Sequence, residues 1–191
     1  MHKMPSLNDT VTKIYEQYEN TQEDSRRPHL GASLIGEECK RKLWYIFRWI
    51  ERQHHDGRLL RLFDTGNHAE PRFVKDMRDI GIEVHDVNPK GDQWRVSDDT
   101  GHFGGSMDGC AKGLPEAPST WHVVEFKTHG DKSFTDLAGK LVKPPSHKYP
   151  VRQGGKGVRQ SKPQHYAQMQ IYMGFTGMKR AFYLAVNKNT D

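Results

Sequence analysis

Apolar residues in the first 80 positions recur three or four residues apart, which is the spacing of one face of an α-helix. The pattern predicts a short amphipathic helix over residues 7–20, a stronger one over 38–53 and a third over about 59–80. A proline inside a helix removes a backbone hydrogen bond and crowds the preceding turn. Because Pro71 falls inside the third stretch, we predict a break near Gly66 to Pro71.

Beyond position 81 the pattern changes to short runs rich in β-branched and aromatic residues, bounded by turn residues, which is typical of strands. Strands are predicted over residues 82–87, 93–96, 101–108, 122–128 and 181–187, and a helix over 164–174 precedes the last of them. This order of elements predicts an α/β fold with a central mixed, largely antiparallel β-sheet flanked by helices.

A chain of 191 residues is long enough for one domain with a substantial core. We expect an N-terminal helix and loop over residues 1–30 and the core over 31–191. Two cysteines, Cys39 and Cys110, are too few for a disulfide framework and fit a reducing compartment. The sequence has no run of 18 apolar residues and no apolar signal segment, so we expect a cytoplasmic protein without a membrane partner.

Positive charge is concentrated in the second half of the chain. Residues 126–162 carry nine Lys or Arg against two Asp, whereas the whole chain has 29 against 24 acidic residues. Prolines and a Gly-Gly pair in the same segment predict a long, flexible basic loop over about 129–162. The segment is either a solvated loop or a loop that follows DNA phosphates. In the second case, the candidate contacts are Lys143, Lys148 and Arg152.

Two carboxylates and one lysine occur in a setting that suits metal chemistry. Glu125 and Lys127 lie in the predicted strand over 122–128, where alternation places both on one face. A hairpin between residues 110 and 121 would bring Asp108 beside Glu125. Such carboxylates bind Mg²⁺ or Mn²⁺, and the lysine orients the attacking hydroxide or neutralises transition-state charge. Taken separately, Asp108 is equally a turn residue, and Glu125 with Lys127 a surface ion pair.

Polar residues on both sides of this trio extend the candidate site. Upstream, Glu70 and His68 lie at a predicted helix start, and each is a candidate metal ligand. Downstream, Gln164, Gln168 and Tyr172 recur at intervals of four and line one helix face. This face either hydrogen-bonds phosphates, bases or the catalytic water, or is the polar side of a helix that covers the core.

The ordered set Gly66-x-x-x-Glu70, Asp108, Glu125-Phe126-Lys127 and Gln168-x-x-x-Tyr172 resembles the PD-(D/E)XK nuclease superfamily. Within it, the motifs are similar to those of viral alkaline exonucleases of the lambda-exonuclease type and of RecB-like nucleases, including CRISPR-associated ones. The resemblance spans about residues 30–187. It implies a restriction-endonuclease-like core and a deoxyribonuclease that depends on one or two Mg²⁺ or Mn²⁺ ions.

The resemblance also implies roles for individual residues. Asp108, Glu125 and the backbone carbonyl of Phe126 would bind the metal, and Lys127 would assist the nucleophilic water, with Gln168 and Tyr172 completing the catalytic set. Glu70 matches the helix glutamate of the viral exonucleases, whereas His68 resembles the metal-binding histidine of RecB-like enzymes. The spacing from Gly66 fits Glu70 better.

Two further segments carry the resemblance. Gly31-Ala-Ser33 is similar to an element of viral exonucleases, which makes Ser33, with Arg26 or Arg27 upstream, a candidate DNA contact, as is Gln164. Cys39-Lys-Arg-x-x-Trp-Tyr45 resembles the first cysteine segment of iron-sulfur RecB-like nucleases. The other clustered cysteines of those enzymes are absent, and a [4Fe-4S] cluster needs four thiolates, so we expect no iron-sulfur cluster.

The expected activity is hydrolysis of DNA phosphodiester bonds from an end, in the 5′ to 3′ direction, during viral DNA recombination or processing. DNA is the expected partner, together with a single-strand annealing or recombination protein. Two alternatives stay open. One is a structure- or strand-specific endonuclease or a CRISPR-adaptation-type RecB-like nuclease, and the other is a non-catalytic DNA-binding module. The sequence predicts no oligomeric state.

Overall fold

The computed structural model describes residues 7–22, 27–50 and 54–190. The α-helices within these ranges are α1 (Leu7–Asn20), α2 (Lys40–Phe47), α3 (Gly57–Asp79), α4 (Asp131–Ala138), α5 (Gly157–Ser161) and α6 (Pro163–Thr176). The strands there are β1 (Leu30–Gly31), β2 (Glu83–His85), β3 (Arg95–Ser97), β4 (Phe103–Ser106), β5 (Gly109–Lys112), β6 (His122–His129), β7 (Gly139–Val142), β8 (Val151–Gly154) and β9 (Arg180–Asn187). A 3₁₀ helix covers Ala32–Leu34. The fold is α/β, with helices and mixed, partly antiparallel sheets.

A four-stranded sheet in the order β2-β5-β6-β9 carries the main core. β2, β5 and β6 are antiparallel neighbours, whereas β9 runs parallel to β6 along the full length of both strands. Helix α3 packs on one face, around Phe126, and α6 packs on the other, around Val123. Because neighbours in a strand alternate between faces, Glu125 and Lys127 lie on the face that α6 covers.

The chain passes between two sheets at the candidate site. β4 is the middle strand of a second sheet, in the order β1-β4-β3, and ends at Ser106. β5 of the four-stranded sheet begins at Gly109, so Asp108 lies in the short connection between the sheets. Gly109 has a φ of 152°, and a Cβ there would lie 2.8 Å from the carbonyl oxygen of His85. A glycine therefore allows the chain to enter β5 directly beside β2.

The predicted break near Pro71 is wrong, because α3 continues without interruption from Gly57 to Asp79. Asp56 caps the helix by accepting a hydrogen bond from the backbone N–H of Leu59 at 2.7 Å. The second half of the helix buries Phe73, Val74 and Met77 in the core. A proline inside a helix costs about 3 kcal/mol, and burial of three large apolar side chains, at about 1.5–3 kcal/mol each, offsets that cost.

The prediction of a basic loop without helix or strand over 129–162 is also wrong. The segment forms α4, the β7-β8 hairpin and α5. The proline pair falls in the hairpin loop between the two strands, and α4 buries Leu137. A Cβ on Gly155 would lie 2.3 Å from the carbonyl oxygen of Leu137. The glycines and prolines mark tight turns and close backbone contacts here, and they do not mark an extended loop.

The remaining predicted elements form, several of them with altered ends. α1 has the predicted bounds, and α6 and β9 form close to theirs. α2 ends at Phe47, earlier than predicted, and residues 51–53 lie outside the described residues. The predicted strand over 101–108 shortens to β4, since the chain turns toward the other sheet after Ser106. In the described ranges, no helix has the length and apolar character needed to span a membrane.

Candidate active site

The β5-β6 hairpin brings Asp108 beside Glu125. In the strand register Gly109 lies opposite Val124, so the next pair of positions outward is Asp108 and Glu125. Asp108 Oδ2 accepts a hydrogen bond from the backbone N–H of Phe126 at 2.8 Å. This bond fixes the carboxylate of the connection against the strand that carries the other two residues of the trio.

Lys127 extends its amine back toward both carboxylates. Its Nζ lies 2.5 Å from Glu125 Oε1 and 3.7 Å from Asp108 Oδ2. It also donates a hydrogen bond to the backbone carbonyl of Phe126 at 2.9 Å. Phe126 itself points the other way, and its ring stacks on that of Phe73 with centroids 5.2 Å apart. The alternation of β6 thus assigns one side chain to the core and two to the site.

Glu125 is the most unusual group of the site, because its side chain is 0% exposed. Apart from the nearby amine of Lys127, neither carboxylate oxygen has a hydrogen-bond partner among the residues that the structure describes. Burial first, and the charges of Asp108 and Glu70 after it, raise the pKa of Glu125 to about 7 despite the charge of Lys127, which lowers it. A buried carboxylate with unused lone pairs is costly unless a cation is close.

Of the two upstream candidates, the structure brings Glu70 to the acidic group and leaves His68 outside. Glu70 is half-buried, and its pKa is raised by burial and by the charge of Asp108, while Lys127 lowers it. The His68 side chain is 80% exposed, and its Nε2 lies 3.5 Å from Asp64 Oδ2 one helical turn away. The two residues are only two positions apart in α3, about 200° around the helix axis, and so lie on different faces of the helix.

Gln168 and Tyr172 of α6 support the site from the other side. Gln168 Nε2 donates to the hydroxyl of Tyr172 at 3.2 Å, and that hydroxyl donates to the carbonyl of Ser106 at 2.6 Å. Burial raises the pKa of Tyr172 to about 12, and Glu125 and Asp108 add to that effect. Both residues therefore hold the end of β4, two positions before Asp108. Gln164 is exposed at the start of α6.

The N-terminal candidates gather around Gly31. A Cβ on Gly31 would lie 3.5 Å from Ser33 Oγ and 3.6 Å from Arg27 Nη1. Ser33 and Arg27 are both exposed, and the positive charge of Arg27 lowers the pKa of Tyr172. Arg27 is thus on the same side of the molecule as the trio, whereas Arg26 lies outside the described residues.

The basic segment contributes two kinds of cation. Lys143 and Lys148 are exposed in the hairpin loop. Arg152 has a structural role as well, since its Nη1 donates to the Gly139 carbonyl at 3.3 Å and its guanidinium lies 4.9 Å from the centroid of Phe134. An open cleft of about 970 Å³ is lined by residues that include Lys132, Lys156 and Lys162.

The structure places a polar cluster next to Lys127 that the sequence did not predict. The Tyr183 hydroxyl lies 2.9 Å from His129 Nε2 and 2.8 Å from His165 Nδ1. Burial, together with Lys127 and Lys162, lowers the pKa of both histidines to about 4. His129 continues the alternation of Glu125 and Lys127 along β6, which is the one sequence signal for it. The parallel pairing of β6 with β9 was needed to find Tyr183.

Comparison with protein-family models, with curated protein sequences and with solved structures finds no match for this chain. Across residues 7–22, 27–50 and 54–190, no three His, Cys, Asp or Glu side chains form a ready-made metal-binding group. The amine of Lys127 lies close to both Glu125 and Asp108 and neutralises them in part.

Proposed function

We propose that this chain is a metal-dependent DNA exonuclease with a restriction-endonuclease-like core, which hydrolyses phosphodiester bonds with Mg²⁺ or Mn²⁺. The observation that carries the proposal is the fully buried carboxylate of Glu125, beside Asp108, for which the amine of Lys127 is the one polar partner among the described residues. A protein core retains such an arrangement at a cost, and perturbed ionisable groups of this kind concentrate at functional sites.

The chemistry of the donor set fits a hard divalent cation. Asp108, Glu125, Glu70 and the carbonyl of Phe126 offer only oxygen atoms, which Mg²⁺ and Mn²⁺ prefer. These four groups would hold the ion, and His68 would not take part. When bound, the ion activates a water molecule and neutralises charge on the phosphodiester. Cys39 lies directly before α2 and Cys110 lies in β5, and the lack of an iron-sulfur cluster stays a prediction.

The protein's own groups divide the remaining work. Lys127 holds a positive charge beside the carboxylates, where negative charge develops on the phosphate during attack. Glu125 must lose its proton before it can act as a ligand, so its raised pKa makes the site depend on pH. Gln168 and Tyr172 act as positioning residues, since they bond to each other and to the Ser106 carbonyl and not to the acidic group.

DNA is the substrate that the charge distribution favours. The exposed Lys143 and Lys148, Lys132 and Lys162 of the cleft, and Arg27 would contact DNA phosphates. Action from a 5′ end and a role in viral DNA recombination or processing, with a single-strand annealing or recombination protein as partner, rest on the resemblance to viral exonucleases. A strand-specific endonuclease or a CRISPR-adaptation-type nuclease uses the same chemistry on another DNA form.

A non-catalytic DNA-binding module is the second candidate, favoured by one observation. The ion pair between Lys127 and Glu125 already compensates the buried charge, so the site is stable as an internal salt bridge. In that case the basic surface binds DNA and the sheet serves packing alone.

Cleavage of end-labelled linear duplex and of closed circular DNA, each in Mg²⁺, Mn²⁺ or EDTA, distinguishes the candidates. The exonuclease degrades linear DNA only, in either metal, and loses this activity in Asp108→Asn. Nicking of circles identifies an endonuclease. Binding without cleavage of either DNA in any metal contradicts both enzymes and leaves the binding module.

A further inference from the structure

Helix α2 and the residues that follow it expose large aromatic and apolar side chains. Trp44 is 53% exposed, Trp49 50% and Ile50 58%, and α2 has no buried residue at all. The rings of Trp44 and Tyr45 lie 5.4 Å apart. Soluble proteins seldom leave several large aromatic residues exposed on one short segment unless the surface binds something.

Trp49 has an unusual backbone conformation, and a hydrogen bond fixes its ring. Its φ is +54°, in the left-handed region, which bulky residues rarely adopt. Its indole N–H donates to the backbone carbonyl of Arg27 at 2.9 Å. The polar edge of the ring is therefore anchored while half of the side chain stays exposed, so the ring loses little conformational entropy when a ligand stacks on it.

The same surface is strongly basic. Residues 39–50 contain Lys40, Arg41, Lys42 and Arg48 and no acidic residue. Lys42 pairs with Glu37 at 2.5 Å. The other three cations form no ion pair within the described residues. Aromatic rings mixed with unpaired cations suit a ligand that carries both flat π-faces and phosphates.

A continuous line of contacts connects this surface to the candidate active site. Arg27 accepts from Trp49 at one end and reaches Gly31 with its guanidinium, 3.6 Å from a Cβ placed there. Ala32 follows Gly31, and a Cβ on Gly105 would lie 3.0 Å from the Ala32 Cβ and 2.8 Å from the Tyr172 hydroxyl. Trp49, directly after α2, is thus connected through Arg27 and Gly31 to Tyr172, which supports the acidic group.

We propose that Trp44, Trp49 and the cations of α2 form a stacking platform for the unpaired bases of single-stranded DNA, next to the active site. The assignment of this strand as substrate rests on the proposed function, but the binding itself does not. Aromatic faces stack on any base, so the platform binds without sequence preference. Trp, Tyr and Arg are also enriched in protein interfaces; we choose DNA because the surface carries unpaired cations beside its rings, which match phosphates beside bases.

Binding of an oligo(dT) of about 16 nucleotides to the full chain in EDTA tests the proposal without requiring cleavage. We expect DNA to quench the tryptophan fluorescence and Trp44→Ala to weaken binding about tenfold, which is the loss expected for one stacked base. A duplex of the same length should bind Trp44→Ala and the wild type within about twofold of each other. Ile80→Ala is the matched control, because Ile80 is 72% exposed at the far end of α3 and should leave binding unchanged.

A second variant separates stacking from charge. Arg48→Ala should lower the slope of log affinity against log salt by about 0.7, the loss of one phosphate contact on a single strand, whereas Trp44→Ala should leave the slope unchanged. Equal oligo(dT) affinity of Trp44→Ala and wild type overturns the proposal, and so does a Trp44→Ala change from oligomer to monomer, which would identify a protein interface. Oligo(dT) binding by a protein that cleaves neither linear duplex nor circular DNA in any metal contradicts the nuclease and leaves the platform standing.

Discussion

Lys127 Nζ lies 2.5 Å from Glu125 Oε1, and the Glu125 side chain is entirely buried while that of Lys127 is 28% exposed. The amine therefore connects a carboxylate inside the protein with the solvent at the edge of the sheet. Both the stability of the core and the proposed chemistry depend on this pair.

Removal of Lys127 should destabilise the fold in a pH-dependent way. Lys127→Ala leaves Glu125 buried without a cation, which costs about 3 kcal/mol. The pKa of Glu125, already raised, rises further, so the protonated form is favoured in the folded state. The protonated form of Glu125 therefore stabilises the variant at low pH. This stabilisation is lost as pH rises through the pKa that Glu125 has in the folded protein. The loss of Tm should thus be larger at pH 8 than at pH 5.

Lys75→Ala is the control for that experiment, since Lys75 forms an exposed ion pair with Asp79 on α3. Such pairs contribute at most about 1 kcal/mol, so its Tm should change little at either pH. An identical loss of Tm in Lys127→Ala at both pH values would show that Glu125 is not strained by burial.

Glu70→Gln and His68→Gln should differ in Mn²⁺ affinity, measured by calorimetric titration. Glu70 interacts with Asp108 and Lys127, whereas His68 is 80% exposed. Glu70→Gln should lower the affinity for Mn²⁺ about 10- to 100-fold, and His68→Gln should leave this affinity unchanged. Because the pKa of both Glu125 and Glu70 is raised, wild-type affinity should fall as pH drops below about 7. A larger effect of His68→Gln would reverse the ligand assignment.

Gly105→Ala should destabilise the protein by about 1–3 kcal/mol, the usual range for an overpacked core. The added Cβ would lie 2.8 Å from the Tyr172 hydroxyl and 3.0 Å from the Ala32 Cβ. Gly66→Ala is the matched control. Its Cβ would meet only Thr128 Oγ1, at 3.8 Å, and alanine in a helix should stabilise by about 0.5–1 kcal/mol. Chemical denaturation of the two variants measures both changes, and destabilisation by neither would mean that α6 does not pack on β4 as described.

The histidine cluster should reduce stability under acidic conditions. The pKa of His165 is lowered from 6.5 to about 4 by burial first and by nearby lysines second, so the unfolded chain binds a proton that the folded chain does not. The contribution is fully present above pH 6.5 and is lost as pH falls toward 4. Wild type should lose at least about 1 kcal/mol more than His165→Gln between pH 7.5 and pH 5. Equal losses of stability in the two proteins would show that His165 is not held neutral in the folded core.

Local patterns predicted the central sheet and the trio, because alternation along β6 and the length of the β5-β6 connection are local properties. The break predicted at Pro71 and the loop predicted from the glycines of the basic segment were wrong, since the effect of these residues depends on what packs around them. The long-range pairing of β6 with β9 determines where Tyr183 meets His129, and no local signal reports it. The choice between Glu70 and His68 likewise depended on which face of α3 meets the sheet.

The most direct test of the central claim is the degradation of an end-labelled linear duplex by the wild type and by Asp108→Asn, each in Mg²⁺ and in EDTA. Asp108 lies at the candidate site and accepts its hydrogen bond from Phe126, which the isosteric amide oxygen retains. We predict degradation by the wild type in Mg²⁺ alone and a loss of at least about 100-fold in Asp108→Asn. Equal degradation by both proteins, or activity of the wild type that persists in EDTA, would contradict the account.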